Sequence, residues 1–376
     1  MKLKPKTTIT DHFAQMEDPR VERTKQHKLI DIITIAICAV ICGADTWVNI
    51  ETYGRAKYSF LKQLLELPNG IPSHDTFARV FARLNPEQFQ QCFLNWVKSI
   101  SNIIPRGVLA IDGKTLRRSY DSRGDKRAIH MVSAWATEQR LVLGQVKVDE
   151  KSNEITAIPE LIKVLELTGC IVTIDAMGCQ QEIVKLIAEQ SGNYVITLKK
   201  NQVSLYKRVE ELFKKAIRNR FQGFTYSRYQ TKEQSHGREE IRNYLMLSDI
   251  SDQIDPTSKW DLLQSVGMVE SVRTVKEKTT VETRYYISSL PNNAQLLGQS
   301  IRNHWGIENH LHWILDVAFR EDDCRIRKDN APQNFAVLRH IALNLLNQEK
   351  TFKTGIKNQR LKAGWDNEYL LNLLAG

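Results

Sequence analysis

Two aspartates in this 376-residue chain end apolar runs and are followed by small residues, a placement that projects a carboxylate from the tip of a β-strand. Asp112 follows Val108-Leu109-Ala110-Ile111 and precedes Gly113-Lys114; Asp175 follows Ile171-Val172-Thr173-Ile174 and precedes Ala176-Met177-Gly178. On neighbouring strands the two would converge at one sheet edge. Carboxylates that close repel unless one is protonated or a cation bridges them, so the pair reads as a Mg²⁺ or Mn²⁺ site. The competing reading is that each aspartate caps the turn after its strand, a role Asp favours. A third acid lies between Ile301 and Asp322. On a helix, His304, Glu308 and His312 recur every four residues beside an apolar stripe of Ile307, Leu311, Ile314 and Ala318, which puts Glu308 at the border of core and solvent, able to face a sheet edge. Asp316 continues the row as a weaker candidate. His, Glu and His at this spacing would suit zinc, but the H-E-x-x-H arrangement is missing, and hard oxygen donors from two strand ends favour magnesium. Taken alone, the row also reads as a polar helix face with partly buried histidines.

The elements needed to position these acids are legible around them. From about Asp11 to Ile104 apolar residues recur at helical spacing. Ser73 and Asp75 can cap a helix with Phe77, Val80, Phe81 and Leu84 on one face and Arg79 and Arg83 in a separate row; Asn85-Pro86 opens another, with Phe89, Phe93, Trp96 and Val97 inward. This pair reads either as a DNA-contacting helix-turn-helix or as part of an all-helical accessory domain with solvated arginines. From Gly107 the texture is strand, strand, strand (GVLAIDGKT, AIHMVSAWAT, RLVLGQVKV), then helix, the strand CIVTIDAMG, helix, and the strand YVITL, which describes a mixed α/β sheet. Between 203 and 290 regularity weakens, and the later strands VGMVESVRTV and ETRYYISSL suggest a β-rich insertion. Helical periodicity returns from Ser300 to Ala318 and from Pro332 to Leu346. The expected division is a helical region at 1–104, a catalytic α/β domain at 105–346 with an insertion at about 203–290, and a C-terminal tail at 347–376.

Composition narrows the partners. Lys and Arg number 53 against 43 Asp and Glu, a formal charge of +10 that favours a polyanion without proving one. The six cysteines form no C-x-x-C pair, so neither a zinc ribbon nor a disulfide framework is expected, and a reducing compartment fits. Leu29 to Cys42 is too short to span a membrane and carries Asp31, so it reads as a buried helix. The first residues lack the apolar stretch of a secretory signal, which leads to the expectation of a cytoplasmic, nucleoid-associated protein.

Five ordered motifs, AIDGKTLRRS from Ala110, TIDAMGCQ from Thr173, LKKNQ from Leu198, HGREEIR from His236 and HWGIENHLHWILDVAFRED from His304, together resemble the ISAs-type DDE transposases, which include the H-repeat-associated proteins. The amino-terminal DPR at Asp18 and IPSHDTFARVFARL from Ile71 resemble the helical domain accompanying that catalytic domain. The resemblance implies a ribonuclease-H-like fold with Asp112, Asp175 and Glu308 as the acidic triad, holding two Mg²⁺ or Mn²⁺ ions roughly 3.5–4 Å apart. It implies cleavage at the ends of an insertion sequence, strand transfer into target DNA, and a homodimer that pairs the two ends. Lys114, Arg117, Arg118, Lys199 and Lys200 follow the strand-end acids closely enough to contact phosphates, the competing reading of each lysine being a solvated surface charge, and Asn201 and Gln202 would either reach a base edge or form a turn. His236, Arg238 and Arg242 would grip the DNA backbone. The Tyr, Arg, Glu, Lys signature of related transposases is absent around Glu308, where Ile301, His304 and Leu315 occupy its other places, leaving Arg302, His304 and Asn309 as substitutes for DNA contact. Rival functions are a nuclease of the same fold that cuts without joining, and a DNA-binding descendant with inactive chemistry; a purely structural scaffold would have no use for the three acids.

Overall fold

Thirteen consecutive residues with one charge make Leu29–Ile41 the most apolar helix of the chain, and its Asp31 is tolerated in the core because Oδ2 accepts the Leu67 N–H at 3.0 Å. The computed structural model describes residues 9–101, 107–120, 128–148, 153–235, 237–276 and 278–375. Its first part is helical: α1 (Ile9–Phe13), α2 (Leu29–Ile41), α3 (Trp47–Ala56), α4 (Tyr58–Leu64), α5 (His74–Arg83) and α6 (Pro86–Ile100). The Ser73 and Asn85 caps form as expected, with Ser73 Oγ accepting from Thr76 and Asn85 Oδ1 from Glu87 and Gln88. Phe77, Val80, Phe81, Phe89, Phe93 and Trp96 are all buried.

There follow β1 (Val108–Thr115), β2 (His130–Ala136), β3 (Leu141–Lys147), α7 (Glu154–Val164), β4 (Ile171–Ile174), α8 (Gln181–Glu189), β5 (Asn193–Leu198), α9 (Val203–Arg218), β6 (Thr225–Ser235), β7 (Arg238–Ser248), α10 (Ser251–Ile254), β8 (Ser265–Val275), β9 (Lys278–Ser288), α11 (Ala294–Ile307), α12 (Trp313–Val317), α13 (Ala331–Gln348), α14 (Ile356–Trp365) and α15 (Asn367–Ala375). The strands form one nine-stranded sheet in the order β3-β2-β1-β4-β5-β9-β8-β7-β6. β1 to β3 are an antiparallel meander; β4 joins β1, and β5 joins β4, in parallel. This is the ribonuclease-H-like arrangement. The insertion does not sit apart from it: β9 pairs antiparallel with β5, and β8, β7 and β6 continue the same ladder outward.

Alternation along the strands feeds two cores. Leu109, Ile111, Val172 and Ile196 pack on one face with α7, α8 and α9. On the other face, Val108, Ile171 and Val195 meet α11, while Ala110, Trp135 and Val142 meet α13 and the amino-terminal helices. α13 is buried along nearly its whole length. Its Asn334 amide donates to the Phe81 and Leu84 carbonyls, and Asn344 exchanges two hydrogen bonds with the Val142 backbone, capping the outer edge of β3. The expected C-terminal tail contains α14 and α15, which fold back on α2 and α13. No helix of the described residues is long and apolar enough to cross a membrane.

One expectation needs correction. The stripe predicted as Ile307, Leu311, Ile314 and Ala318 is instead Ile307, Leu311, Leu315 and Phe319, all buried, with Ile314 and Ala318 only partly so. The cause is a π-helical turn at Glu308–His312, where the Trp313 N–H donates to the Glu308 carbonyl. The wider turn takes up an extra residue and shifts the inward row to every fourth position.

Candidate active site

Because Ile111 lies opposite Ile174 in the parallel β1–β4 pair, the next residues on each strand, Asp112 and Asp175, emerge side by side at the same sheet edge. Asp175 also caps the turn Ala176–Gly178, with Oδ1 accepting from Met177 N–H at 2.9 Å and Gly178 N–H at 3.4 Å. Capping and site formation therefore coexist, the turn fixing the carboxylate at the mouth of the cleft. The π turn brings Glu308 to the same place from the helical layer. One donor atom each from Asp112, Glu308 and His312 lie within 4.8 Å of one another. Asp112, Asp175, Glu308 and His304 line one cleft of about 610 Å³.

Burial pushes the Asp112 carboxyl up to about 6, against the pull of the neighbouring His312 ring, while the Glu308 charge pushes it further up. Glu308 lies below its ordinary value, held there first by His312. His304 Nδ1 pairs with Thr173 Oγ1 at 3.0 Å, tying α11 to β4, and burial pushes this imidazole down despite the Asp175 carboxylate nearby.

The cations following Asp112 have acidic partners. Lys114 Nζ turns inward to Asp316 and, at 2.8 Å, to Glu321; Arg339 holds the other Glu321 oxygen at 3.3 Å. Burial would raise Glu321, but Lys114 and Arg339 outweigh it and keep the carboxyl below its ordinary value. Arg117 pairs with Asp322 at 3.2 Å and Arg118 with Asp323 at 3.5 Å, both at the surface. Lys199 and Lys200 are exposed and line the cleft. Asn201 Nδ2 donates to the Ala176 carbonyl at 2.7 Å and Gln202 Nε2 to the Cys179 carbonyl at 2.8 Å, so both brace the Asp175 turn. Arg302 pairs with Glu233 at 2.9 Å, Arg242 with Glu240 at 2.6 Å, and Arg238 with Glu240, knitting the β6–β7 hairpin to α11. Asn309 is exposed on the π turn, and His236 lies outside the described residues.

Sequence reasoning missed Arg284 and Trp305. Both line the cleft, with the guanidinium 5.6 Å from the indole centre and the indole 44% exposed. No local pattern marks Arg284, which reaches the site only because Tyr285 beside it pairs with Leu198, next to Lys199.

Comparison with known proteins gives the family. Residues 104–345 match the family described as "Transposase DDE domain", and residues 10–97 match "DDE_Tnp_1-associated". The chain is 44% identical over 373 residues to the "H repeat-associated putative transposase YhhI" of Escherichia coli K12, covering 98% of each chain. It is 43% identical over 373 residues to "Putative protein YbfL" of the same strain, again with 98% of each chain covered. Among solved structures it is similar to a piggyBac transposase synaptic complex with hairpin DNA at a TM-score of 0.44 and 13% identity, covering 94% of this chain and 74% of that one. On the match over residues 104–345 and the near full-length relatives, the chain belongs to the DDE transposase family.

Proposed function

We propose that the chain cuts phosphodiester bonds at the ends of an insertion sequence and joins the freed 3′ ends to target DNA. The observation that carries this reading is the convergence of Asp112 and Asp175, from adjacent parallel strands, with Glu308 from the helical layer in one open cleft. This donor set fits a divalent cation, since two carboxylates and an imidazole crowded within 4.8 Å are mutually compensated by one. Two Mg²⁺ or Mn²⁺ ions held by Asp112, Asp175 and Glu308 would supply the Lewis acidity for in-line displacement at phosphorus.

The remaining cleft residues handle the DNA. Lys199 and Lys200, exposed after β5, and Arg284 on β9 offer cationic donors to the phosphates flanking the scissile bond. His304, fixed by Thr173, donates or accepts at the wall of the cleft as a neutral imidazole. Asn201 and Gln202 hold the Asp175 turn, and Lys114 acts from behind the site through Asp316 and Glu321. Cutting two element ends together calls for a homodimer.

The test is incubation of purified protein with Mg²⁺ and a duplex carrying the ends that flank its own gene. Cleavage at the boundary followed by joining to target DNA, lost in Asp112→Ala, Asp175→Ala and Glu308→Ala, is the expected outcome. Binding without cleavage would identify an inactive descendant. Cutting of branched or unrelated DNA without joining would identify a nuclease.

A further inference from the structure

His312 is a buried histidine whose surroundings do not explain it as a core residue. Its side chain is 7% exposed, its Nδ1 makes only long contacts with two carboxylates, and its Nε2 is fully buried without a partner among the described residues. Buried ring nitrogens are normally satisfied, because leaving one unpaired forfeits its hydration with nothing in return. The other ring nitrogen, Nδ1, stands 3.7 Å from Asp112 Oδ2 and 3.6 Å from Glu308 Oε2, too far for good hydrogen bonds to either oxygen yet centred on both. The π turn carries Glu308 and His312 at its two ends, so the same backbone irregularity presents both donors. Asp175 is outside this trio, at the end of the neighbouring strand β4.

We infer that His312 is a nitrogen ligand to one of the two metal positions, sharing it with Asp112 and Glu308, and that this makes the positions chemically unequal. The Asp112–Glu308–His312 position has one nitrogen among oxygens and discriminates against Mg²⁺ in favour of divalent first-row transition ions; the position between Asp112 and Asp175 has protein oxygens alone and accepts Mg²⁺. The inference rests on the proposed metal-dependent reading of the cleft. It gives Nδ1, which stands beyond good hydrogen-bond distance from both carboxylates, a shared partner.

Mn²⁺ binding to the full-length protein, followed by electron paramagnetic resonance with pulsed detection of nitrogen coupling, tests this without any DNA. The expected result is one tighter Mn²⁺ showing nitrogen coupling and a weaker one showing none. His312→Asn should remove the coupling and weaken the tighter site on the order of 10- to 100-fold, with Mg²⁺ affinity at the other position changed far less. His304→Asn, which alters the other cleft histidine, should leave the coupling intact. If His312→Asn does not fold, His304→Asn protein grown on nitrogen-15 histidine still decides the matter, since a coupling that persists there and changes isotope comes from a cleft histidine other than His304. Absence of nitrogen coupling in wild type, its persistence in folded His312→Asn, or its loss in His304→Asn would each overturn the inference. Cleavage of element ends by a protein lacking the coupling would sink this assignment alone, whereas coupling in a protein that never cuts DNA would sink the transposition reading alone.

Discussion

Lys114 shows how far a single residue can be read from its neighbours. Placed two residues after Asp112 in a basic run, it looks like a phosphate contact, but its ammonium lies under the site between Asp316 and Glu321. Those partners are more than 200 positions away, so no local pattern could reveal them. Asp112, Asp175 and Glu308 were legible because each sits at a point where hydrophobic patterning breaks, at two strand ends and at a helix border. Lys114→Met should therefore act on folding: removing the cation leaves Glu321 buried with Arg339 as its remaining ionic partner, at a cost of about 3 kcal/mol in urea denaturation. The salt dependence of DNA binding should stay unchanged. A slope smaller by about one, with stability intact, would return Lys114 to the phosphate-contact role.

At the scale of elements, regular periodicity was readable and departures from it were not. The meander, β4 and β5 announce themselves through apolar runs, whereas β6 is long, polar and largely exposed, and β7 is charged in its first half and buried over Tyr244 to Leu247, so neither shows the alternation that marks a half-buried strand. The π turn is invisible for a related reason: an α-helical count over 307–318 finds a plausible stripe one residue out of register. Asn201 and Gln202 belong here too, since their side chains join the end of β5 to the turn after β4. Asn201→Ala should free that turn and weaken Mg²⁺ binding about tenfold, as loss of a residue that orients a ligand does. DNA affinity measured in EDTA should be unchanged. Weaker DNA binding with normal Mg²⁺ affinity would instead identify a base-contacting residue.

The whole molecule is tied together at points the domain boundaries read from sequence do not suggest. Arg360, in the segment expected as a tail, donates to the Val40 carbonyl at the end of α2 and to the Ala318 carbonyl beyond α12, pairs with Asp45 at 3.2 Å, and stacks on Phe319 at 4.1 Å. It joins the amino-terminal helices, the helix that follows Glu308 and the C-terminal helices in one buried contact. Arg360→Ala should lower unfolding free energy by about 3 kcal/mol, and Arg360→Lys should recover only part of it, because an ammonium lacks the planar fork needed to reach both carbonyls and the carboxylate. Equal stability of all three proteins by urea denaturation would show that the C-terminal helices dock without this contact.

The unbroken ladder from β5 through β9, β8 and β7 to β6 has a mechanical consequence. Five strand spacings of about 4.8 Å set β6 roughly 24 Å from β4, the strand that ends at Asp175. A hydrogen-bonded sheet can twist, but it stretches far less readily than a loop swings, so the span from the acids to the outermost hairpin is held nearly constant. It works as a ruler: a duplex laid across that face would be measured off in a step of roughly seven base pairs, at about 3.4 Å each, by the number of strands.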